Sequence, residues 1–155
     1  MEQPLRWRKP RRIFVNSMSD LFHEAVPDEF LDRVFAVMAL CPQHTFQILT
    51  KRPERMRQYC SSLETRQRVG LAIHELVVRL PVPKAGRSLP FEFRPDSTEA
   101  RPAMWVVWPL PNVWLGVSVE NQQTADERIP ILLQTPAAVR WVSYEPALGP
   151  VDFEP

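Results

Sequence analysis

The chain has 155 residues, of which 45% are hydrophobic and 24% are charged, and its formal net charge at pH 7 is +1. This length suits one domain with a hydrophobic core, and it is too short for a complete eight-stranded (β/α) barrel, which usually needs about 250 residues. The near-neutral net charge excludes a surface that is basic throughout, although it is compatible with a local basic patch.

Several features of the sequence indicate a cytoplasmic protein. The basic N-terminal segment 1–12 has no apolar run behind it that would suit a signal peptide. No stretch approaches the roughly 18 apolar residues that a membrane span requires. The two cysteines, Cys41 and Cys60, match no zinc or redox spacing, so we expect them to be reduced thiols packed in the core.

Taken in chain order, four short apolar runs are each followed by a polar cluster. The runs are 13–15, 45–49, 113–117 and 139–142, and they are rich in Val, Ile and aromatic residues. Runs of this length and composition predict strands that are buried on both faces of a sheet.

Helical patterns lie between these strands. Pro27 and Pro53 suit the first position of a helix, and Asn121 suits an N-cap. Pro130 is expected to break the helix that Asn121 opens, because a proline inside a helix costs about 3 kcal/mol. The predicted helices span 27–40, 53–61, 64–80 and 121–128.

Strands that alternate with helices predict an α/β fold: a partial (β/α) barrel-like parallel sheet with flanking helices and right-handed crossovers. The chain is interpreted as a single partial domain over 1–155. Within it, 81–107 is rich in proline and is expected to be an irregular insertion, in which 103–108 could form an edge strand.

The first candidate site consists of the polar residues that follow the four strands. Parallel strands end on one side of a sheet, so these side chains gather on one rim, where α/β folds bind ligands. Two cations directly before the helix that begins at Pro53 suit an anion. Alternatively, polar residues stand at strand ends because the strands meet water there, and Asp20 caps a turn. The candidate set is Ser17, Asp20, Lys51, Arg52, Ser118, Glu120, Ser143 and Glu145.

A second candidate site is the basic N-terminal segment, where five cations and the single acid Glu2 leave a net charge of +4. Interleaved with Trp7, these cations could contact the phosphates of a nucleic acid. They could equally form a solvated approach to the first strand. The five cations are Arg6, Arg8, Lys9, Arg11 and Arg12.

Other residue types are weaker signals. The three histidines match no metal spacing, so no metal site is predicted. Trp105, Trp108 and Trp114 are expected to pack in the core or the insertion rather than to form a platform for stacked bases.

The sequence also resembles a known family at four ordered motifs. These are residues 13–23 (IFVNSMSDLFH), 47–56 (QILTKRPERM), 110–120 (LPNVWLGVSVE) and 141–151 (WVSYEPALGPV). Together they resemble a phage and prophage three-cysteine-motif family of unassigned function, which is related to radical-SAM barrels and similar to spore photoproduct lyase.

The resemblance implies an upstream segment with three close cysteines. These would ligate a [4Fe–4S] cluster that reductively cleaves S-adenosylmethionine. This chain has no such segment, so we expect a fragment or truncated homologue that holds no cofactor by itself and is inactive alone. The resemblance places the cofactor's nucleoside and methionyl parts at Ser17, Asp20, Lys51, Ser118, Glu120 and Glu145.

We therefore expect part of a cofactor-binding and substrate-binding wall, with nucleic acid as the substrate by analogy of fold alone. Its partner would be the missing half of the barrel or a second copy. The alternative is a non-enzymatic phage accessory protein that binds nucleic acid or a host protein through its basic N-terminus. A third reading is a remnant without function, whose open sheet edges would favour self-association. No membrane partner is expected.

Overall fold

The structure is a computed structural model, and it describes residues 2–79, 91–93 and 104–153. All four predicted strands are present, and helices separate them. In chain order the elements are a 3₁₀ turn at Gln3–Arg6, β1 (Arg12–Val15), α1 (Asp28–Ala39), β2 (Thr45–Thr50), α2 (Pro53–Ser61), α3 (Leu63–Arg79), β3 (Phe91–Phe93), β4 (Met104–Val106), β5 (Val113–Val119), α4 (Gln122–Gln134) and β6 (Val139–Tyr144).

The helices begin where local chemistry favours a start. α1 follows Pro27 and carries Asp28 and Glu29 in its first turn, where acids oppose the positive end of the helix dipole. α4 begins with a reciprocal capping box, in which the Asn121 side chain accepts from Thr124 N and the Thr124 hydroxyl accepts from Asn121 N.

The main sheet has four parallel strands in the order β1-β2-β5-β6, which is also their order along the chain. Because crossovers between parallel strands are right-handed, this order puts every connecting helix on the same side of the sheet. The predicted α/β fold, a partial (β/α) barrel-like sheet with flanking helices, is confirmed.

The hydrophobic core lies between the sheet and these helices. Alternate side chains of β2 and β5 point into it, and the helices supply the opposite wall. Complete burial of one such side chain contributes about 1.5–3 kcal/mol. The centre of the core is built from Phe46, Ile48, Leu115 and Val117 of the strands and Leu31, Phe35, Met56 and Ile73 of the helices, each at most 2% exposed.

A buried carboxylate joins three of the helices. Asp32 of α1 accepts a hydrogen bond from the Tyr59 hydroxyl of α2 at 2.8 Å and another from Arg68 Nε of α3 at 2.8 Å. Burial and the negative charge of Asp32 raise the pKa of Tyr59, so the phenol stays protonated and remains a donor. This cluster holds the helix layer together and takes no part in the rim of the sheet.

The other side of the sheet, called the inner face below, carries the alternate set of side chains. The described helices all lie on the opposite side, and Phe14 on the inner face is 45% exposed. The inner face consists of Arg12, Phe14, Thr45, Gln47, Leu49, Trp114, Gly116, Ser118, Val139, Trp141 and Ser143.

Aromatic side chains of the two edge strands meet above the inner face. Trp141 of β6 packs on Gly116 of β5, and its ring centroid lies 6.1 Å from that of Phe14 in β1. β1 and β6 are the two edge strands, and three strand spacings would separate them by about 14 Å in a flat sheet. Their rings meet because the Trp141 side chain reaches across β5, over Gly116, towards β1.

The prediction that Pro130 breaks the last helix is wrong. α4 continues from Gln122 to Gln134 with Pro130 inside it. The proline removes the donor that would bond to the carbonyl of Asp126, but both residues are exposed. Water can therefore satisfy that carbonyl, and the helix continues at a lower cost than a buried break would impose.

The proline-rich region contains more regular structure than expected. β4 confirms a strand within 103–108, and it pairs antiparallel with β3 in a separate two-stranded sheet. The remainder of the predicted insertion, 81–90 and 94–103, lies outside the described residues.

The packing of Trp141 on Gly116 predicts that Gly116→Ala destabilises the protein. An added Cβ would lie 2.5 Å from Cε2 of Trp141, so the indole or the strand would have to move. Overpacking of this kind costs about 1–3 kcal/mol in the free energy of unfolding, which urea denaturation measures.

Gly149→Ala is the matched control. A Cβ at Gly149 would meet its nearest neighbour, Cβ of Asn121, at an ordinary 3.9 Å. Equal losses of stability in the two variants would contradict the proposed packing.

Candidate functional site

The candidate site lies at the carboxyl ends of β1, β2 and β5. After β1 the chain turns sharply at Asn16, whose φ is +59°, and Ser19 N donates to the Asn16 carbonyl at 3.2 Å. Asparagine is one of the few residue types that adopt this left-handed conformation readily. The turn brings Asp20 back over the end of β2.

Asp20 joins the turn after β1 to the end of β2 and the start of α2. One carboxylate oxygen accepts from Phe22 N at 2.9 Å and from the Thr50 hydroxyl at 2.7 Å. The other accepts from Lys51 N at 3.0 Å and from Arg52 Nη1 at 2.9 Å. Four donors use the acceptor capacity of the carboxylate, so Asp20 positions its neighbours and has no free lone pair for a ligand.

These donors also set the charge state of Asp20. Partial burial acts to raise its pKa, but the hydrogen bonds from Lys51 N, Thr50, Phe22 N and Arg52 outweigh burial and hold the pKa below the ordinary value of 3.8. The carboxylate is therefore ionised at neutral pH.

Glu120 joins the ends of β2 and β5. Lys51 Nζ lies 2.5 Å from one carboxylate oxygen, and Arg128 Nη1 of α4 donates to the other at 2.9 Å. Arg128 also donates to the Ser118 carbonyl at 2.7 Å. Burial acts to raise the pKa of Glu120, but the contact with Lys51 and the charge of Arg128 lower it below the ordinary 4.5.

The ion-paired network at the rim has one more cation than it has carboxylates. Two carboxylates, Asp20 and Glu120, are paired with three cations, Lys51, Arg52 and Arg128. The Lys51 side chain is 53% exposed, whereas that of Glu120 is 9% exposed. Lys51 is thus the group of this network that is best placed to meet an anionic part of a ligand.

The remaining candidates of the rim lie around this network. Ser118 and Ser143 are direct partners across β5 and β6 on the inner face. Ser17 is exposed in the turn after β1, and Glu145 is exposed directly after β6. Among the described contacts, none joins Ser17 or Glu145 to Asp20 or Glu120.

The sequence predicted Thr50 among the polar groups at the end of β2, but it did not identify Arg128 as a member of this cluster. The position of Arg128 could have been inferred from the helix that Asn121 caps. Arg128 lies about two turns into that helix, where its long side chain can reach back to the end of β5.

The predicted basic site lies at the opposite end of the sheet. All five cations from Arg6 to Arg12 are exposed. The Arg11 guanidinium lies 4.6 Å from the centroid of Trp7, and that of Arg12 lies 5.7 Å from Trp114. His44 anchors the segment, since Arg11 N donates to its Nδ1 at 3.2 Å.

The described residues contain no group of three His, Cys, Asp or Glu side chains that could hold a metal ion. Cys41 and Cys60 are both buried. Burial raises the pKa of Cys60 to about 12, which disfavours the thiolate that metal ligation needs. None of the described helices combines the length and the apolar character needed to cross a bilayer.

The fold and the rim define an α/β protein with a parallel sheet whose helices lie on one side and whose strand ends carry a charged network. A family model described as a protein of unknown function (DUF5131) matches residues 1–154, and the chain belongs to that family. No curated protein and no solved structure matches the chain.

The position of Asp20 predicts that Asp20→Asn destabilises the protein at neutral pH. The amide cannot accept from four donors and loses the charge that faces Arg52. Hydrogen bonds to a charged group contribute about 1.5–3 kcal/mol, and urea unfolding should show a loss of that order. The folded pKa is lowered, so the wild-type advantage is complete above the ordinary value of 3.8 and disappears as the pH falls through the folded value.

Asp126→Asn is the control, because Asp126 is exposed on α4 and accepts from Gln122 alone among the described contacts. It should change stability by less than about 0.5 kcal/mol. A difference between wild type and Asp20→Asn that stays constant from pH 7 to pH 3 would contradict the assigned role.

Proposed function

We propose that this chain forms part of the cofactor-binding and substrate-binding wall of a phage-type, radical-SAM-like protein, and that its rim binds S-adenosylmethionine. The proposal concerns binding and does not make the isolated chain a catalyst. It rests on the resemblance of the four sequence motifs and on the positions that those motifs occupy at the strand ends.

The observation that carries the proposal is the contact between Lys51 and Glu120. The two residues directly follow adjacent parallel strands, at the carboxyl end of the sheet. Ligands of α/β proteins bind at this end of the strands. Below the pair, the hydroxyl-bearing Ser118 and Ser143 occupy neighbouring positions on the same face.

The chemistry of these groups suits the ligand. S-adenosylmethionine carries a carboxylate, an ammonium and two ribose hydroxyls. Lys51 would pair with the carboxylate, and Glu120 would accept from the ammonium or a hydroxyl. Lys51 would have to exchange Glu120 for the ligand, which its exposed and flexible side chain permits. In this proposal Asp20 orients Lys51 and Arg52 and does not contact the ligand.

The [4Fe–4S] cluster that the resemblance implies does not fit the described residues. Its ligands are thiolates at close spacing, whereas Cys41 and Cys60 are buried in the core, away from the rim. The proposal therefore includes no step that involves a cluster held by these residues.

Thermal unfolding with and without millimolar S-adenosylmethionine tests the proposal. At a ligand concentration ten times the Kd, linkage adds about 1.4 kcal/mol, which raises the Tm of a chain of this size by about 3–6 °C. Lys51→Ala should abolish the shift. Lys9→Ala, which removes an ammonium at the opposite end of the sheet, should retain it, and a wild-type Tm that does not change would refute the proposal.

A second candidate function is favoured by the exposure of all five N-terminal cations: a non-enzymatic protein that binds nucleic acid through them. Replacing Arg6, Arg8, Lys9, Arg11 and Arg12 with Gln should weaken binding to any DNA and should flatten the dependence of log Kd on log salt. Equal affinities of wild type and variant at 50 mM salt would exclude this function.

A further inference from the structure

We propose that the inner face of the sheet is a stacking platform for the unpaired bases of a single-stranded nucleic acid. The inference shares its class of partner with the second candidate function, but its surface has only Arg12 in common with the five N-terminal cations, and its ligand is narrower. It does not depend on the binding of S-adenosylmethionine.

The inner face exposes aromatic rings, which a second layer of structure would normally cover. Parallel sheets are usually packed on both sides, whereas the described helices here cover one side only. Phe14 is 45% exposed, and Trp114 and Trp141 are partly exposed beside it. Trp114 therefore lies on the inner face and not in the core, where the sequence had placed it. Several proteins stack unpaired bases on the aromatic side chains of an open sheet face.

Gly116 gives this surface its shape. It lets the Trp141 indole lie against β5 and reach towards Phe14, so that aromatic side chains from both edge strands meet over the centre of the sheet. Trp114 stands one position earlier on the same side of β5, next to Gln47. The rings thus lie side by side on one face of the sheet.

Cations stand at both ends of this aromatic surface. Arg12 lies at the amino end, with its guanidinium 5.7 Å from the Trp114 ring centroid, and Lys51 lies at the carboxyl end. Six residue steps along β2 separate the two ends, which corresponds to about 20 Å and suits a few nucleotides. The arrangement offers positive charge to phosphates and rings to the bases between them.

Duplex DNA should bind this surface less well than a single strand does. Its bases are stacked on one another, so their faces are not available to Phe14 or Trp114. The platform should therefore favour single strands.

Fluorescence anisotropy with a labelled ten-nucleotide deoxythymidylate tests the inference, with a duplex of the same length for comparison. We expect the single strand to bind with a Kd of about 1–100 µM at low salt, and more tightly than the duplex. Phe14→Ala and Trp114→Ala should each weaken single-strand binding about 5- to 100-fold, as expected for the loss of one stacked base. Phe14→Leu keeps an apolar side chain of similar size, so it should fold like the wild type, but it removes the ring. It should also weaken single-strand binding, which would show that the loss does not come from misfolding.

Phe30→Ala is the matched control, because Phe30 is a comparably exposed aromatic residue, at 40%, on the helix side of the sheet. It should bind like the wild type. Neutralising the N-terminal cations would weaken single strand and duplex alike, whereas the aromatic variants should affect the single strand alone. Wild-type affinity in the Phe14 and Trp114 variants, or a duplex that binds as tightly as the single strand, would overturn the inference.

Discussion

The order of the strands is the constraint on which the rest of this structure depends. Each strand of the main sheet lies beside the one that precedes it in the chain, and right-handed crossovers then place every helix on one side. The core forms on that side, where Phe46, Ile48 and Leu115 are fully buried. The same order leaves the inner face uncovered by any of the described helices and brings the polar strand ends together on one rim.

Two carboxylates organise that rim by different means. Asp20 accepts two backbone and two side-chain hydrogen bonds, so it fixes the local chain path. Glu120 lies between Lys51 and Arg128, so it balances charge between a strand end and a helix. One cation remains in excess over the two carboxylates. Charged groups arranged in this way retain their ionisation at neutral pH because each carboxylate is stabilised by its neighbours.

Much of the fold could be predicted because its signals are local. Short apolar runs mark the strands, and Pro27, Pro53 and Asn121 mark helix starts. The sequence predicted that Lys51 and Glu120 lie on the same rim, but it did not predict their direct contact. That contact depends on which strands are neighbours in the sheet, and no single segment of the sequence determines the strand order. The role of Arg128 was missed because the helix was expected to end there, before Pro130. Contacts such as Trp141 on Gly116 depend on the pairing of β5 with β6, which no local pattern encodes.

The rim combines a fixed part with an adjustable part. Around Asp20, backbone amides of two chain segments are bonded to one carboxylate, so the turn after β1 and the start of α2 cannot move independently. The contact between Lys51 and Glu120, in contrast, depends on the end of one long side chain. Rotation of that side chain alone would break the contact and leave Glu120 paired with Arg128. This ion pair can therefore be exchanged for another without any rearrangement of the backbone.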